Sequence, residues 1–175
     1  MRNKAFTLIE LLVVISIVSL LSSVVISELN KSRNEAKMKV SLEKVRILRD
    51  NIIIAQGNTG NTLRQITGSG CSRCHSSCSN TDLKNVSTEC YSRWVNAVDD
   101  IFNVSGEIYR SSKESLYRDA WGSPFILDEN EGEVSTAYCR RDTLNIVGPD
   151  GVYNTSDDIR INLPYTGYGQ KICDN

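Results

Sequence analysis

From Phe6 to Ile26 the chain is apolar at nearly every position, interrupted only by Thr7, Glu10 and scattered serines. That pattern predicts a helix apolar on all sides, which must be covered by lipid or by other helices. At ~1.5 Å per residue, about twenty residues span the ~30 Å hydrocarbon core of a bilayer. From Leu29 onward the spacing changes to threes and fours. Leu29, Met38, Leu42, Val45, Leu48, Ile52 and Ala55 form one stripe, and Lys31, Arg33, Lys37, Lys39, Lys44, Arg46 and Arg49 fill much of the other face. No Gly or Pro interrupts Phe6–Gln56, so one helix is expected to run to a stop at Gly57. Its apolar half covers 6–27 and its amphipathic half 28–56.

Residues 57–90 are rich in Gly, Ser, Asn, Thr and Cys, and predict a loop excursion without a core, Cys-rich over 68–90. Tyr91, Trp94, Val95, Val98, Ile101 and Phe102 then mark a second amphipathic helix. Ser87 or Thr88 would cap it, and its stripe is expected to pack on the first helix. Beyond Arg118 the pattern shortens to strands at 125–127, 143–147 and 159–161, with a turn at Asn130-Glu131-Gly132. The predicted class is α+β: a long N-terminal helix packed on a small antiparallel sheet, with a head at 57–175 and the sheet within 121–162.

The chain has 175 residues, enough for one domain with an appendage. Its 20 basic and 21 acidic residues give a net charge of −1, which argues against a nucleic-acid partner. With one His, imidazole catalysis is disfavoured. No nucleophile elbow, phosphate loop or paired-carboxylate cleft is evident, and an enzyme is not expected. Arg2 and Lys4 precede the apolar run and hold that end in the cytoplasm. Glu10 lies within the run, where a carboxylate costs about 2.5–3.5 kcal/mol on insertion scales and so calls for a partner.

The six cysteines are Cys71, Cys74, Cys78, Cys90, Cys139 and Cys173. In an exported head they read as disulfides, whose pairing sequence cannot choose. Zinc held by Cys71, Cys74, Cys78 and Cys90 is a second reading. Cys71-Ser-Arg-Cys74-His75 also matches the c-type haem attachment pattern, but its Ser- and Asn-rich surroundings offer a haem no apolar walls. Asp150, Asp157 and Asp158 place three carboxylates within nine residues. The spacing fits no EF-hand, and by itself leaves a calcium loop and a solvated turn equally open.

The segment Ala5-Phe6-Thr7-Leu8-Ile9-Glu10-Leu11-Leu12-Val13-Val14, behind a short basic leader, resembles the signal of type IV pilins and type II secretion pseudopilins. The resemblance implies that a prepilin peptidase removes residues 1–5 by cutting between Ala5 and Phe6, that Phe6 becomes N-methylated, and that Glu10 pairs with the N-terminal amine of a neighbouring subunit. It implies a homo-polymer built by an inner-membrane assembly platform and its ATPase. The subunit would be single-pass in the inner membrane before assembly, and part of a periplasmic or cell-surface filament afterwards. The tail from Trp121-Gly-Ser-Pro-Phe125 through the loop 148–159 resembles the C-terminal region of the major type II secretion pseudopilin. That implies a structural Ca2+ held by the side chains of Asp150 and of Asp157 or Asp158, with carbonyls from Val147 and Thr155. The expected function is a structural subunit of a pilus or pseudopilus. The alternatives are a haem-bearing filament subunit for electron transfer and a membrane-anchored binding module.

Overall fold

The computed structural model describes residues 7–68, 76–106, 112–132 and 140–165. The architecture is α+β. Helix α1 spans Leu8–Thr59, α2 Leu63–Thr67 and α3 Glu89–Ser105; strands β1 (Ile126–Asp128), β2 (Thr143–Ile146) and β3 (Ile159–Asn162) follow. The chain divides into two compact units, the first ending at Lys37 and the second beginning at Met38.

In the first unit α1 is helical with its apolar side chains outward, from Leu8 at 83% exposure through Ile26. Its hydroxyls are satisfied within the helix: Ser16 Oγ donates to the Leu12 carbonyl at 2.8 Å, Ser19 Oγ to Ile15 at 2.7 Å and Ser23 Oγ to Leu20 at 2.8 Å. Such back-bonding leaves an apolar span with no unpaired hydroxyl on these three residues.

In the second unit the amphipathic part of α1 lines the core. Val45, Leu48, Ile52 and Ala55 are buried with Trp94, Ala97, Val98, Ile101 and Phe102 of α3 and with Leu127, Leu144 and Ile146 of the sheet. Trp94 anchors this core. Its indole N–H donates to the Leu116 carbonyl at 3.2 Å, and its ring lies 5.6 Å from that of Phe125. Thr88 caps α3, its side chain accepting from the Tyr91 N–H.

The expected stripe on α1 needs correcting. Leu29 and Leu42 are exposed, and two polar residues, Ser41 and Asn51, are buried in their stead. Each has a distant partner: Ser41 Oγ accepts from the Ala120 N–H at 3.0 Å, and Asn51 Oδ1 accepts from Ser105 Oγ at 3.1 Å. Nor does α1 stop at Gly57. It continues to Thr59 and ends at Gly60, whose φ of +67° suits a residue without Cβ. On α3, Val95 is half-buried and Ala97 takes its place in the core.

The sheet is antiparallel in the order β1-β2-β3, with Ile126 opposite Asn145 and Leu144 opposite Ile161. Side chains alternate across a strand, so Leu127, Leu144 and Ile146 face the main core while Ile126 faces the other way. There Ile126 and Val147 pack with Cys78, Leu83 and Cys90, and Tyr153 packs against this second cluster. The segment expected to bury nothing therefore covers the back of the sheet. Part of it is also helical: α2 carries a capping box between Thr62 and Gln65, and buries Leu63 and Thr67.

The turn after β1 is polar yet buried. Asp128, Glu129, Asn130 and Glu131 have little exposure, and Thr67 Oγ1 donates to Glu129. Asp142, 2% exposed, accepts from the Asn130 N–H at 2.6 Å and the Glu131 N–H at 2.8 Å. Burial pushes its pKa up to about 6, and nearby Glu131 and Asp128 push the same way against the pull of the two N–H groups. The unfolded chain titrates this group near 3.8, so between there and pH 6 the native state keeps a proton that the unfolded state loses. Its stabilising contribution is full below that window and is lost as pH rises through it. Asp142→Asn removes the charge and keeps an acceptor for both N–H groups. Over this window wild-type stability should fall relative to the variant by about 1–3 kcal/mol. Parallel pH–stability curves in thermal melts would refute this.

Candidate functional site

Two features carry the candidate chemistry: the N-terminal half of α1 and the loop between β2 and β3. The helix start is closed by its own sequence. Thr7 and Glu10 form a reciprocal capping box: Glu10 N–H donates to Thr7 Oγ1 at 3.3 Å, while Glu10 Oε2 accepts from Thr7 N–H at 2.9 Å and Thr7 Oγ1 at 2.7 Å. The Thr-x-x-Glu spacing was the signal for this, and Thr7 is the residue the sequence reading left out. Glu10 is thus the acidic group of the first turn, where the helix dipole favours it. Beyond it, α1 is long and apolar enough to cross a membrane.

The acidic loop is built from turns capped by its own carboxylates. Asp150 Oδ1 accepts from the Val152 N–H at 2.8 Å, and Asp157 Oδ2 from the Asp150 N–H at 3.1 Å. Thr155 Oγ1 donates to Asp157 Oδ1 at 2.5 Å and to the Val152 carbonyl at 3.1 Å. Asp158 Oδ2 accepts from the N–H groups of Asn154 at 2.6 Å and Thr155 at 3.3 Å. Burial raises Asp157, but the hydrogen bonds from Thr155 and Asp150 outweigh it and leave the carboxyl below its usual range. Asp158 is raised, first by burial and then by the charges of Asp157 and Asp150, against its two N–H donors.

Asp158 Oδ1 is buried with no hydrogen-bond partner. An orphaned carboxylate oxygen is what a hard cation would satisfy. Among the described residues no three acidic, Cys or His side chains gather to hold a metal ion. A cation here would therefore draw most of its ligands from carbonyls, a role open to Val147 and Thr155.

The loop is braced from outside by a segment that the sequence reading did not connect to it. Leu83 N–H donates to the Gly151 carbonyl at 2.8 Å, and Asp82 forms an antiparallel bridge with Val152. Of the cysteines, Cys78 and Cys90 are joined as a disulfide. That pairing corrects the four-thiolate zinc arrangement, because two of its sulfurs are bonded to each other. Ala5, Phe6, Cys71, Cys74, His75, Cys139 and Cys173 lie outside the described residues.

Gly148 sets the entry of the loop at φ +78°, and a Cβ there would lie 2.7 Å from Asp157 Oδ2 and 2.8 Å from the Asp157 carbonyl oxygen. Gly148→Ala should destabilise the head by about 1–3 kcal/mol, read as a lowered thermal midpoint of the full chain in detergent. An unchanged midpoint would show that the loop relaxes freely around the new methyl.

No curated protein and no solved structure matches the chain. Residues 1–26 match the model of the family described as the prokaryotic N-terminal methylation motif, and the long apolar helix lies within and directly after that stretch. The chain thus carries a prokaryotic N-terminal methylation motif, consistent with a type IV pilin-like prepilin signal.

Proposed function

We propose that this protein is a structural subunit that polymerises into a type IV pilus or a secretion pseudopilus, after cleavage between Ala5 and Phe6 and N-methylation of Phe6. The observation that carries the reading is a methylation motif on a helix whose apolar residues, from Leu8 to Ile26, are exposed and interrupted by a single carboxylate. Burying each large apolar side chain is worth about 1.5–3 kcal/mol, so the surface passes from lipid to neighbouring helices without being left in water. Glu10 then exchanges its Thr7 cap for the amine of an adjoining subunit. A prepilin peptidase, an inner-membrane platform and an assembly ATPase are the partners this requires. The subunit waits in the inner membrane and ends in a periplasmic or surface filament.

The mature N-terminus tests the reading. Mass spectrometry of the processed protein should find a methylated Phe6; a chain still beginning at Met1 would support a membrane-anchored binding module instead. Glu10→Leu should insert and be processed as before but assemble poorly. Removing one partner of a buried charge pair costs about 3–5 kcal/mol. Filaments of normal yield from this variant would reject the pairing.

The acidic loop is proposed to hold a structural Ca2+ through Asp158, with Asp150 or Asp157 and backbone carbonyls completing the shell. The orphaned Asp158 Oδ1 supports this. An ion that binds only the folded head stabilises it by about 2.7 kcal/mol at a hundredfold excess over Kd. Calcium should therefore raise the thermal midpoint and chelation lower it, and melts that coincide with and without chelator remove the ion from the account.

A further inference from the structure

We propose that oxidation of Cys78 and Cys90 is the step that lets the acidic loop close on the head, so that the loop is completed only after the head meets a thiol–disulfide oxidant. The observation is where the bond lies. The disulfide closes a ring between positions 12 apart in sequence. Inside that ring are Asp82, Leu83 and Lys84, the residues that hold 149–152 from outside. Leu83 N–H donates to the Gly151 carbonyl at 2.8 Å, Asp82 bridges Val152, and Lys84 Nζ donates to the Pro149 carbonyl at 3.4 Å. Packing is close here: a Cβ on Gly151 would stand 2.5 Å from Asp82 Oδ1.

The bond also makes the floor. Cys78 and Cys90 are fully buried with Leu83, Ile126 and Val147, and Tyr153 of the loop packs on them. Beyond these contacts the ringed segment is tied by two hydrogen bonds nearer its second cysteine, from the Asn85 N–H to the Gly122 carbonyl at 3.0 Å and from Arg118 to the Val86 carbonyl at 2.9 Å, and it has little apolar packing of its own. Leu83 is its one buried apolar side chain, Val86 is exposed, and Asn80 and Asn85 hold left-handed backbone at φ +57° and +56°. A polar stretch of this kind offsets little of its own ordering entropy, and tying both ends removes much of that cost around Asp82–Lys84. Since both sulfurs are buried, the closed loop in turn shields the bond from reductant. The device is a one-way completion step, not a reversible switch.

The chemistry balances as thiol–disulfide exchange. One thiolate attacks the oxidant's disulfide to form a mixed disulfide, and the second cysteine displaces it. Cys78 and Cys90 together give up two electrons and two protons, and the oxidant leaves as a dithiol. The inference holds whether or not the loop takes up a cation and whether or not the chain polymerises.

The test is hydrogen exchange by mass spectrometry on the full chain in detergent. In the oxidised protein, the peptide covering 148–158 should exchange at least about tenfold more slowly than in Cys78→Ala/Cys90→Val, while the β1–β2 pairing stays within about twofold. Equal protection of the loop without the bond overturns the proposal. Loss of protection across β1 and β2 as well also overturns it, because the bond would then hold the whole head. In a time course of reduced wild-type chain refolding with oxidised glutathione, loop protection should follow the appearance of the Cys78–Cys90 linked peptide. Protection that precedes the linked peptide overturns the proposal independently of any variant.

Discussion

Among the described residues nothing covers the apolar side chains of α1 from Leu8 to Ile26, and that is the constraint the proposed function has to meet. The backbone of α1 is paired along the helix, Ser16, Ser19 and Ser23 bond back to carbonyls one turn earlier, and Thr7 and Glu10 cap its start. What remains for an outside partner is apolar area and one carboxylate. Water serves the carboxylate and not the area; lipid serves the area and not the carboxylate. A bundle of like helices, each bringing an amine to its neighbour's Glu10, satisfies both. Among the described residues, the Thr7 cap is what a monomer in a membrane has to reduce the cost.

The head meets a different problem, which is to be stable with short strands and a thin core. It does so by covering both faces of the sheet. The main core holds one face through Trp94, Phe125 and the amphipathic turns of α1. The disulfide cluster holds the other, with Cys78 and Cys90 acting both as apolar filler and as a tie. Polar contacts add to this. Asp119, raised by burial and steadied by Lys44, accepts from the Trp121 and Ser123 N–H groups, and Arg118 joins the Gly122 and Val86 carbonyls while lying 4.0 Å from the centre of the Tyr91 ring.

Much of this was legible in the sequence. The apolar run, the Thr88 cap and all three strands stand within a few residues of where the pattern puts them, whereas the amphipathic stripe begins to pack at Met38 and not at Leu29. Glu10 was legible for the same reason, being a lone charge in an apolar span. The misses share a cause. Ser41 and Asn51 are buried because Ala120 and Ser105 reach them from 79 and 54 residues away, and local hydropathy carries no trace of such partners. Gly57 was read as a stop, yet nothing surrounds it to forbid a helix, and the positive φ comes at Gly60. The five residues of α2 are too few to show a period, though Thr62 and Gln65 did spell a capping box. The acidic loop was visible as a run of carboxylates. Its brace was not, because Asp82–Lys84 has no feature that points to residues 149–152.

Where the head takes hold of α1 explains how one helix can serve both tasks. Ser41 and Lys44 of α1 hydrogen-bond to the head, the latter donating to the Arg118 carbonyl at 2.8 Å, while Met38 packs against the core and Val45 is buried in it. Residues before Lys37 belong to the other unit. Exchanging lipid for protein around Leu8–Ile26 therefore breaks none of these bonds and opens none of the head's core. Groups that share no partners contribute independently to stability. In the proposed filament the same separation would leave the head's loops and disulfide independent of the chemistry that membrane and neighbouring helices impose on the apolar span.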